Sequence, residues 1–310
     1  MIENWTVETE RLTKRFGAHV AVDAVSIHVR RGEVFGVFGP TGAGKSTTLR
    51  MLCGILVPSG GRATINGLDA AREGGVIRAC TGYVTQRFGL YEDLTIEENL
   101  SFYAGVYGIA RHERRRRIEQ ALGAHDLIAH RGHLPRELPI EWKQRVALAA
   151  ATIHRPALIV LDEPTTGIDP VSRRAFWTEL HRLAGNGTSV VVSSVNLDEA
   201  ARCHRIAMMF DGRLLDEGRC DDIVARQNLH AAEIDVDHVD RVERALEACP
   251  EVESVEGFGN TLRVVSRDTN AISLTGSITT FRCARPACVT VEDVFVSMMR
   301  AGHRRGRGGS

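Results

Sequence analysis

Short continuous apolar runs recur along the chain, separated by stretches in which apolar residues return at helical spacing. VFGVFG (34–39), ALIVLDEP (157–164) and SVVVSSV (189–195) are apolar without alternation and are too short for helices. That pattern marks strands covered on both faces. Helical patterns fall at 46–53, 143–153, 171–184 and 197–203. Buried strands alternating with helices predict an α/β domain with a largely parallel core sheet.

Two regions break this rhythm. Residues 95–135 are polar and helix-like, with the run RHERRRR (111–117) expected to form a solvated helix face. Residues 228–300 carry a strand-like HAAEIDV (230–236), a helix-like VDRVERALEA (239–248) and a strand-like LRVVS (262–266). They predict a small α+β appendage. The tail HRRGRGGS (303–310) is rich in glycine and arginine and is expected to be disordered. MIENWTVETE at the start lacks the charged-then-apolar pattern of a signal peptide. No apolar run approaches the roughly 20 residues needed to span a bilayer. A soluble chain is expected, one that reaches a membrane only through a partner.

Composition narrows the functional classes. Basic and acidic residues balance at 39 each, whereas a nucleic-acid-binding surface needs a basic excess. Lysine occurs only at Lys14, Lys45 and Lys143, so a chain that otherwise uses arginine keeps lysine at 45. Seven cysteines, with no CxxC pair, read as free thiols in a reducing compartment.

The strongest chemical signal is GPTGAGKST, from Gly39 through Pro40, Thr41, Gly42, Ala43, Gly44, Lys45 and Ser46 to Thr47. It fits G-x-x-x-x-G-K-[ST] between an expected strand and an expected helix. Glycines let backbone N–H groups converge on phosphate oxygens, and the helix start adds its positive dipole end. Lys45 would reach the terminal phosphates, and the Ser46 hydroxyl would ligate Mg²⁺. The strand LIVLDEP (158–164) carries Asp162 and Glu163 to its C-terminal edge, where open α/β sheets bind ligands. Asp162 suits the Mg²⁺ shell, and Glu163 suits a base acting on the attacking water.

These residues, with Gln86 in YVTQRFGLYEDLTIEENL (83–100), TTGIDP (165–170) and LDEAARCHRIAMM (197–209), resemble the ATP-binding subunit of ABC transporters over roughly 1–222. TVEDVF (290–295) resembles the close of the appendage in bacterial drug-efflux exporters, and the stretches 86–108 and from 138 resemble their tandem-cassette branch. The resemblance implies a P-loop cassette with a core parallel sheet, an N-terminal antiparallel β part and a helical subdomain at about 88–150. Residues 228–300 would form the accessory domain and 301–310 the tail. It implies ATP and Mg²⁺ as cofactors, with Phe16 in KRFG stacking on adenine. Gln86 would sense Mg²⁺ and the γ-phosphate, and Asp169 would lie where two cassettes meet. A transmembrane permease subunit and a second cassette are the implied partners, at the cytoplasmic face of the cell membrane. The four tyrosines between 83 and 107, with Phe88 and Phe102, fall where the family receives its membrane subunit. They fit either that contact or packing of the helical subdomain.

Two positions depart from the family. Its signature begins Leu-Ser-Gly-Gly, with amides that bind the γ-phosphate held by the other subunit. Here the residues are Leu138, Pro139, Ile140 and Glu141. Pro139 lacks hydroxyl and N–H, and Ile140 obstructs backbone approach. Glu141 is expected to face the polyanion, a repulsion of about 4 kcal/mol at ~4 Å and an effective dielectric of ~20. The family's switch histidine is replaced by Val195, with Ser194 and Asn196 as neighbouring polar groups. A homodimer would carry both faults at both sites; a heteromer would carry one at each. Three functions are therefore expected in competition. The first is an ATPase subunit powering export, slow on its own. The second is a regulatory cassette that binds ATP and hardly hydrolyses it. The third is a non-transport cassette ATPase.

Overall fold

The computed structural model describes residues 5–268 and 281–307, with side chains excepted at 281–283 and 301–307. The first four residues of the N-terminal stretch and residues 308–310 of the tail lie outside the described residues. The chain divides into two compact units, Met1–Glu217 and Gly218–Ser310.

In the first unit, strands β1 (Trp5–Phe16), β2 (His19–Val25), β3 (His28–Arg30), β5 (Gly60–Ile65) and β6 (Leu68–Asp69) form an antiparallel sheet. Its order is β2-β1-β5-β6, with β3 also on β1. A second sheet runs β11-β10-β4-β9-β8-β7 through β4 (Val34–Phe38), β7 (Thr81–Val84), β8 (Leu158–Asp162), β9 (Ser189–Ser194), β10 (Arg205–Phe210) and β11 (Arg213–Gly218). From β10 to β7 all pairings are parallel. Every residue of β4, β8 and β9 is buried, which is why these strands read as continuous apolar runs. One face packs against α1 (Lys45–Leu52) and the antiparallel sheet, through Phe35, Leu49, Leu52, Val160 and Val191. The other packs against α5 (Ile140–Thr152) and α6 (Pro170–Gly185), through Leu148, Ile159, Trp177 and Leu180.

A helical portion sits between β7 and β8. Helix α2 (Gly74–Cys80) precedes β7; α3 (Ile96–Val106) and α4 (Arg111–Ala124) follow it. Thr95 starts α3 with a capping box, accepting from Glu98 N–H at 3.2 Å while Glu98 accepts from Thr95 N–H at 2.8 Å. Ile96, Leu100, Ile118 and Leu122 meet Val146 and Ile153 of the α5 region in a separate apolar cluster.

In the second unit, α7 (Cys220–Arg226) precedes an antiparallel sheet ordered β13-β14-β12-β15. Its strands are β12 (His230–Val236), β13 (Val252–Phe258), β14 (Thr261–Ser266) and β15 (Phe281–Ala287), accompanied by α8 (Val239–Glu247) and α9 (Val291–Arg307). No helix among the described residues is long and apolar enough to cross a membrane.

Several boundaries differ from expectation. The units part at Glu217/Gly218 rather than at 222, because α7 packs with α9. Helix α9 continues to Arg307, into a tail expected to be disordered: arginines are good helix formers, and one glycine in each turn is tolerated when the helix is already nucleated. Residues 197–203 form a 3₁₀ segment, Leu197–Arg202, not an α-helix. Helix α5 starts at Ile140, earlier than the apolar periodicity showed. The arginine run is only partly solvated: Arg111, Arg115 and Arg116 are exposed, while Arg114 and Arg117 are half-buried. Arg114 Nε donates to the Ile109 carbonyl at 2.8 Å.

Candidate functional site

Three parallel strands end close together, and the site is built on their C-terminal edges. β4 leads into the 39–44 loop, β8 into Asp162 and Glu163, and β9 into Ser194 and Val195. The loop must turn sharply into α1. Gly44 has φ +96°, and a Cβ there would lie 2.5 Å from the Ala21 carbonyl oxygen, so no other residue fits.

Lys45 is 4% exposed. Its Nζ donates to the Gly39 carbonyl at 2.8 Å and the Pro40 carbonyl at 3.1 Å, and pairs with Glu163 at 3.3 Å. The loop thus holds its own cation at its centre. The Ser46 hydroxyl donates to Asp162 Oδ1 at 2.9 Å. Ser193 donates to the same oxygen at 2.7 Å and accepts from Glu163 N–H at 3.0 Å. Glu163 sits in the left-handed region at φ +48°, a conformation a non-glycine residue holds only when its surroundings fix it. The Ser193 hydroxyl supplies one such restraint. Gln86 Nε2 donates to Glu163 Oε2 at 3.1 Å. Gln86 and Lys45 thus meet Glu163, Ser46 meets Asp162, and the Ser193 hydroxyl joins the two sets.

Phe16 closes β1, is 50% exposed, and carries Lys14 Nζ 5.3 Å from its ring centre. A hollow of about 370 Å³ runs from Phe16 past Thr41, Gly42 and Gly44 to Lys45, Ser46 and Thr47, with Gln86 and Glu163 at its far side. The size suits a small organic ligand. Ala43 lies beneath the loop, 2% exposed, and its carbonyl accepts from Gly212 N–H at 3.2 Å. Asp162, 2% exposed, acts from behind Ser46. A divalent cation of the Mg²⁺ type fits this donor set. One carboxylate and one hydroxyl on oxygen chemistry leave room for waters and phosphate oxygens, as that ion requires.

Sequence reasoning missed Ser193, His19 and Ala21. Ser193 was legible in principle, because a serine at the C-terminal end of an otherwise apolar buried strand sits at the ligand edge. His19 and Ala21 border the hollow because the β1–β2 hairpin pairs Phe16 with His19, a register the sequence pattern does not reveal.

The departing residues look different. Pro139 stands at the N-cap of α5 with no side-chain cap, and Pro139 and Ile140 are exposed. A Cβ built on Gly167 would lie 3.4 Å from Ile140 Cδ1, so the isoleucine stands against the loop after Glu163. Glu141 is half-buried and lines a cavity of about 150 Å³ with Gln144, Ser172 and Ala175, between α5 and α6. Val195 is 46% exposed. The Ser194 hydroxyl accepts from Asn196 N–H at 3.0 Å, and Asn196 Oδ1 accepts from Asp198 N–H at 3.1 Å. Both polar neighbours are engaged in shaping the turn. Asp169 Oδ1 caps α6, accepting from Val171 and Ser172 N–H at 2.8 and 3.0 Å. Hydrogen bonds from Ser172 hold its carboxyl below the usual range.

The tyrosines divide. Tyr83 packs on the core, and Tyr103 and Tyr107 pack on the helical cluster. Tyr91 and Phe102 are 47% and 42% exposed and meet edge to face at 4.5 Å.

Comparison with known proteins adds independent findings. A family model described as ABC transporter matches residues 22–166. The probable multidrug ABC transporter ATP-binding protein YbhF of Escherichia coli K12 is 43% identical over 223 residues, 71% of this chain. The chain spans only 38% of that relative's length. Nod factor export ATP-binding protein I of Burkholderia thailandensis is 33% identical over 300 residues, covering 94% of this chain and 96% of the relative. Its counterpart in Paraburkholderia xenovorans is 35% identical over 257 residues, 83% of this chain and 84% of the relative. Among solved structures, an ATP-binding subunit of an ABC transporter aligns with TM-score 0.65 at 29% identity, covering 71% of this chain and 92% of the other. The ATP-binding cassette MJ0796, dimeric and bound to ADP and Pi, aligns with TM-score 0.63 at 28% identity, covering 69% and 98%.

Proposed function

Because the chain belongs to the ABC transporter ATP-binding family, we propose that it binds MgATP in the hollow between Phe16 and the 39–47 loop, hydrolyses it slowly when alone, and powers export through a separate transmembrane subunit. The observation that carries this reading is the polar network at one sheet edge in which Lys45 and Gln86 meet Glu163, Ser46 meets Asp162, and the Ser193 hydroxyl joins the two.

The chemistry follows from the contacts. Lys45 leaves its pairing with Glu163 for the incoming β- and γ-phosphates, which are stronger anionic partners. That frees the Glu163 carboxylate to accept a proton from a water lined up on the γ-phosphate, while Gln86 Nε2 keeps the carboxylate oriented. Mg²⁺, when bound, neutralises charge on the phosphates, and Ser46 with Asp162 behind it would hold the ion. The Gly42 and Gly44 backbone at the start of α1 offers N–H groups to the phosphate oxygens. Phe16 supplies a flat exposed face for adenine.

A second cassette and a membrane subunit complete the proposal. The exposed Tyr91–Phe102 pair is the surface offered for the membrane contact, which would bring the chain to the inner face of the cell membrane. One specific observation favours the regulatory reading as the second choice: Val195 and Pro139 supply no polar side chain where the family places a histidine and a serine. The core of the proposal is tested by calorimetry with MgATP on the full chain and on Lys45→Ala. Saturable binding to the parent, weakened by on the order of 100-fold in the variant, is expected from loss of a charge-assisted contact. Equal affinities would remove the phosphate loop from the account.

A further inference from the structure

At the opposite end of the parallel strands lies a second concave site. It is bounded by α4, by the end of α5 with the turn after it, and by the end of α6, and it measures about 440 Å³. Ile159, at the start of β8, and Thr188, just before β9, form its floor. The phosphate loop, Asp162 and Glu163 lie at the other ends of these strands. A five-residue strand spans roughly 16 Å, so the two sites do not overlap.

The charge of this cavity is one-sided. Arg117, Arg155 and Arg182 line it, and no aspartate or glutamate does. The Nε and Nη1 of Arg117 are fully covered and have no hydrogen-bond acceptor among the described residues. Buried donors without acceptors are costly, and a guanidinium does not shed its proton to escape the cost. Neighbouring carboxylates are already engaged. Glu113 pairs with Arg116 at 2.9 Å, Glu119 with Arg131 at 3.0 Å, and Glu179 with Arg182 at 2.6 Å. Arg155 Nη2 donates to a neutral acceptor, Gln120 Oε1, at 3.1 Å. The histidines nearby stay neutral near neutral pH and add no charge. His125, on the lining, is pushed down to about 4 mainly by burial, and His154 is pushed down to about 4 by burial and then by the charge of Arg117.

We propose that this cavity binds a small phosphate-bearing organic anion, with Arg117 as its principal contact and Arg155 beside it. A guanidinium fork matches phosphate oxygens two at a time, and a turn of the half-buried Arg117 side chain into the cavity would bring its covered Nε and Nη1 to the ligand's acceptors. Ile153, Pro156 and Leu183 form the apolar wall for its carbon skeleton. The volume lies within the range of small-molecule sites.

The test uses the full chain with its nucleotide site kept filled by MgATP in a Glu163→Gln background. Glycerol 3-phosphate is titrated by calorimetry, with glycerate as the carboxylate control and vesicles containing phosphatidate as the lipid arm. The expected result is one saturable site per chain for glycerol 3-phosphate, weakened at least tenfold by Arg117→Gln and also by Arg155→Gln. Arg155 is exposed and its replacement leaves the core intact, so that arm stands even if Arg117→Gln folds poorly. Binding of phosphatidate vesicles alone, lost in either variant, would assign the same chemistry to a lipid headgroup. No saturable binding of either phosphate probe, equal binding of glycerate, or affinities unchanged in both variants would overturn the proposal.

Discussion

Two faces of the cassette are built in opposite ways. On the face formed by the 39–47 loop and the ends of β8 and β9, polar side chains interlock. Asp162 Oδ1 takes two hydroxyl donors, and Glu163 is held at once by Lys45, Gln86 and the Ser193 hydroxyl. On the face formed by the start of α5, the leading residues are uncapped and exposed: Pro139 and Ile140. The first face needs only its own chain. In the resembling family the second serves nucleotide held partly by another subunit. The contrast supports a cassette that keeps its own half of a composite site and has changed what it offers its partner.

The interlocked face should be sensitive to single atoms. Glu163→Gln keeps the Gln86 and Lys45 neighbourhood but removes the base. Turnover measured by phosphate release should fall by on the order of 100-fold or more, with MgATP affinity kept. A loss of less than about twofold would mean that the water is activated by another group.

A smaller effect is expected at Ser193. Ser193→Ala removes one hydrogen bond to Asp162 and one from the Glu163 N–H while leaving an isosteric strand end. Turnover should fall by on the order of tenfold, as one or two hydrogen bonds of this kind predict, and Ser193→Thr should restore most of it. A change in the Mg²⁺ concentration needed for half-maximal rate should accompany the loss, since Asp162 would lose one of its two hydroxyl partners. An equal loss of stability with no change in Mg²⁺ dependence would reduce Ser193 to packing.

The altered face rests on α5, whose far end is anchored by buried histidine. His125 Nε2 lies 3.2 Å from Thr152 Oγ1, and burial holds its pKa at about 4 against an ordinary 6.5. The folded state therefore keeps His125 neutral while the unfolded chain takes up a proton. Stability is full above about pH 6.5 and declines as pH falls towards about 4. The thermal midpoint should drop by several degrees between about pH 7 and about pH 5, and His125→Gln should flatten that slope. An unchanged slope would place the acid sensitivity elsewhere, with His154 the next group to replace.

Much of the nucleotide face was legible because its chemistry is local in sequence. A glycine-rich turn between an apolar run and a helix, and two acids closing a second apolar run, carry their geometry with them. Buried strands were equally plain, since burial on both faces leaves no alternation to misread. What the sequence hid was long-range register. Ser193 meets Asp162 only because β8 and β9 pair side by side, and His19 borders the hollow only through the hairpin register with Phe16. Arg117 was hidden in a run of charge in which Arg111, Arg115 and Arg116 are exposed, as members of such runs usually are.

The contrast between the faces is tested most directly by MgATP-driven dimerisation. The measurement is dimer fraction against MgATP concentration, by sizing, in the Glu163→Gln background and in the same chain carrying Pro139→Ser, Ile140→Gly and Glu141→Gly. The account predicts equal MgATP affinity for the two monomers, because the interlocked face is untouched. It predicts a dimerisation curve shifted to lower MgATP concentration in the repaired chain, because backbone amides now reach the partner's phosphate. Curves that coincide would show that the start of α5 does not meet nucleotide, and would contradict the division of the cassette into a kept half and a changed one.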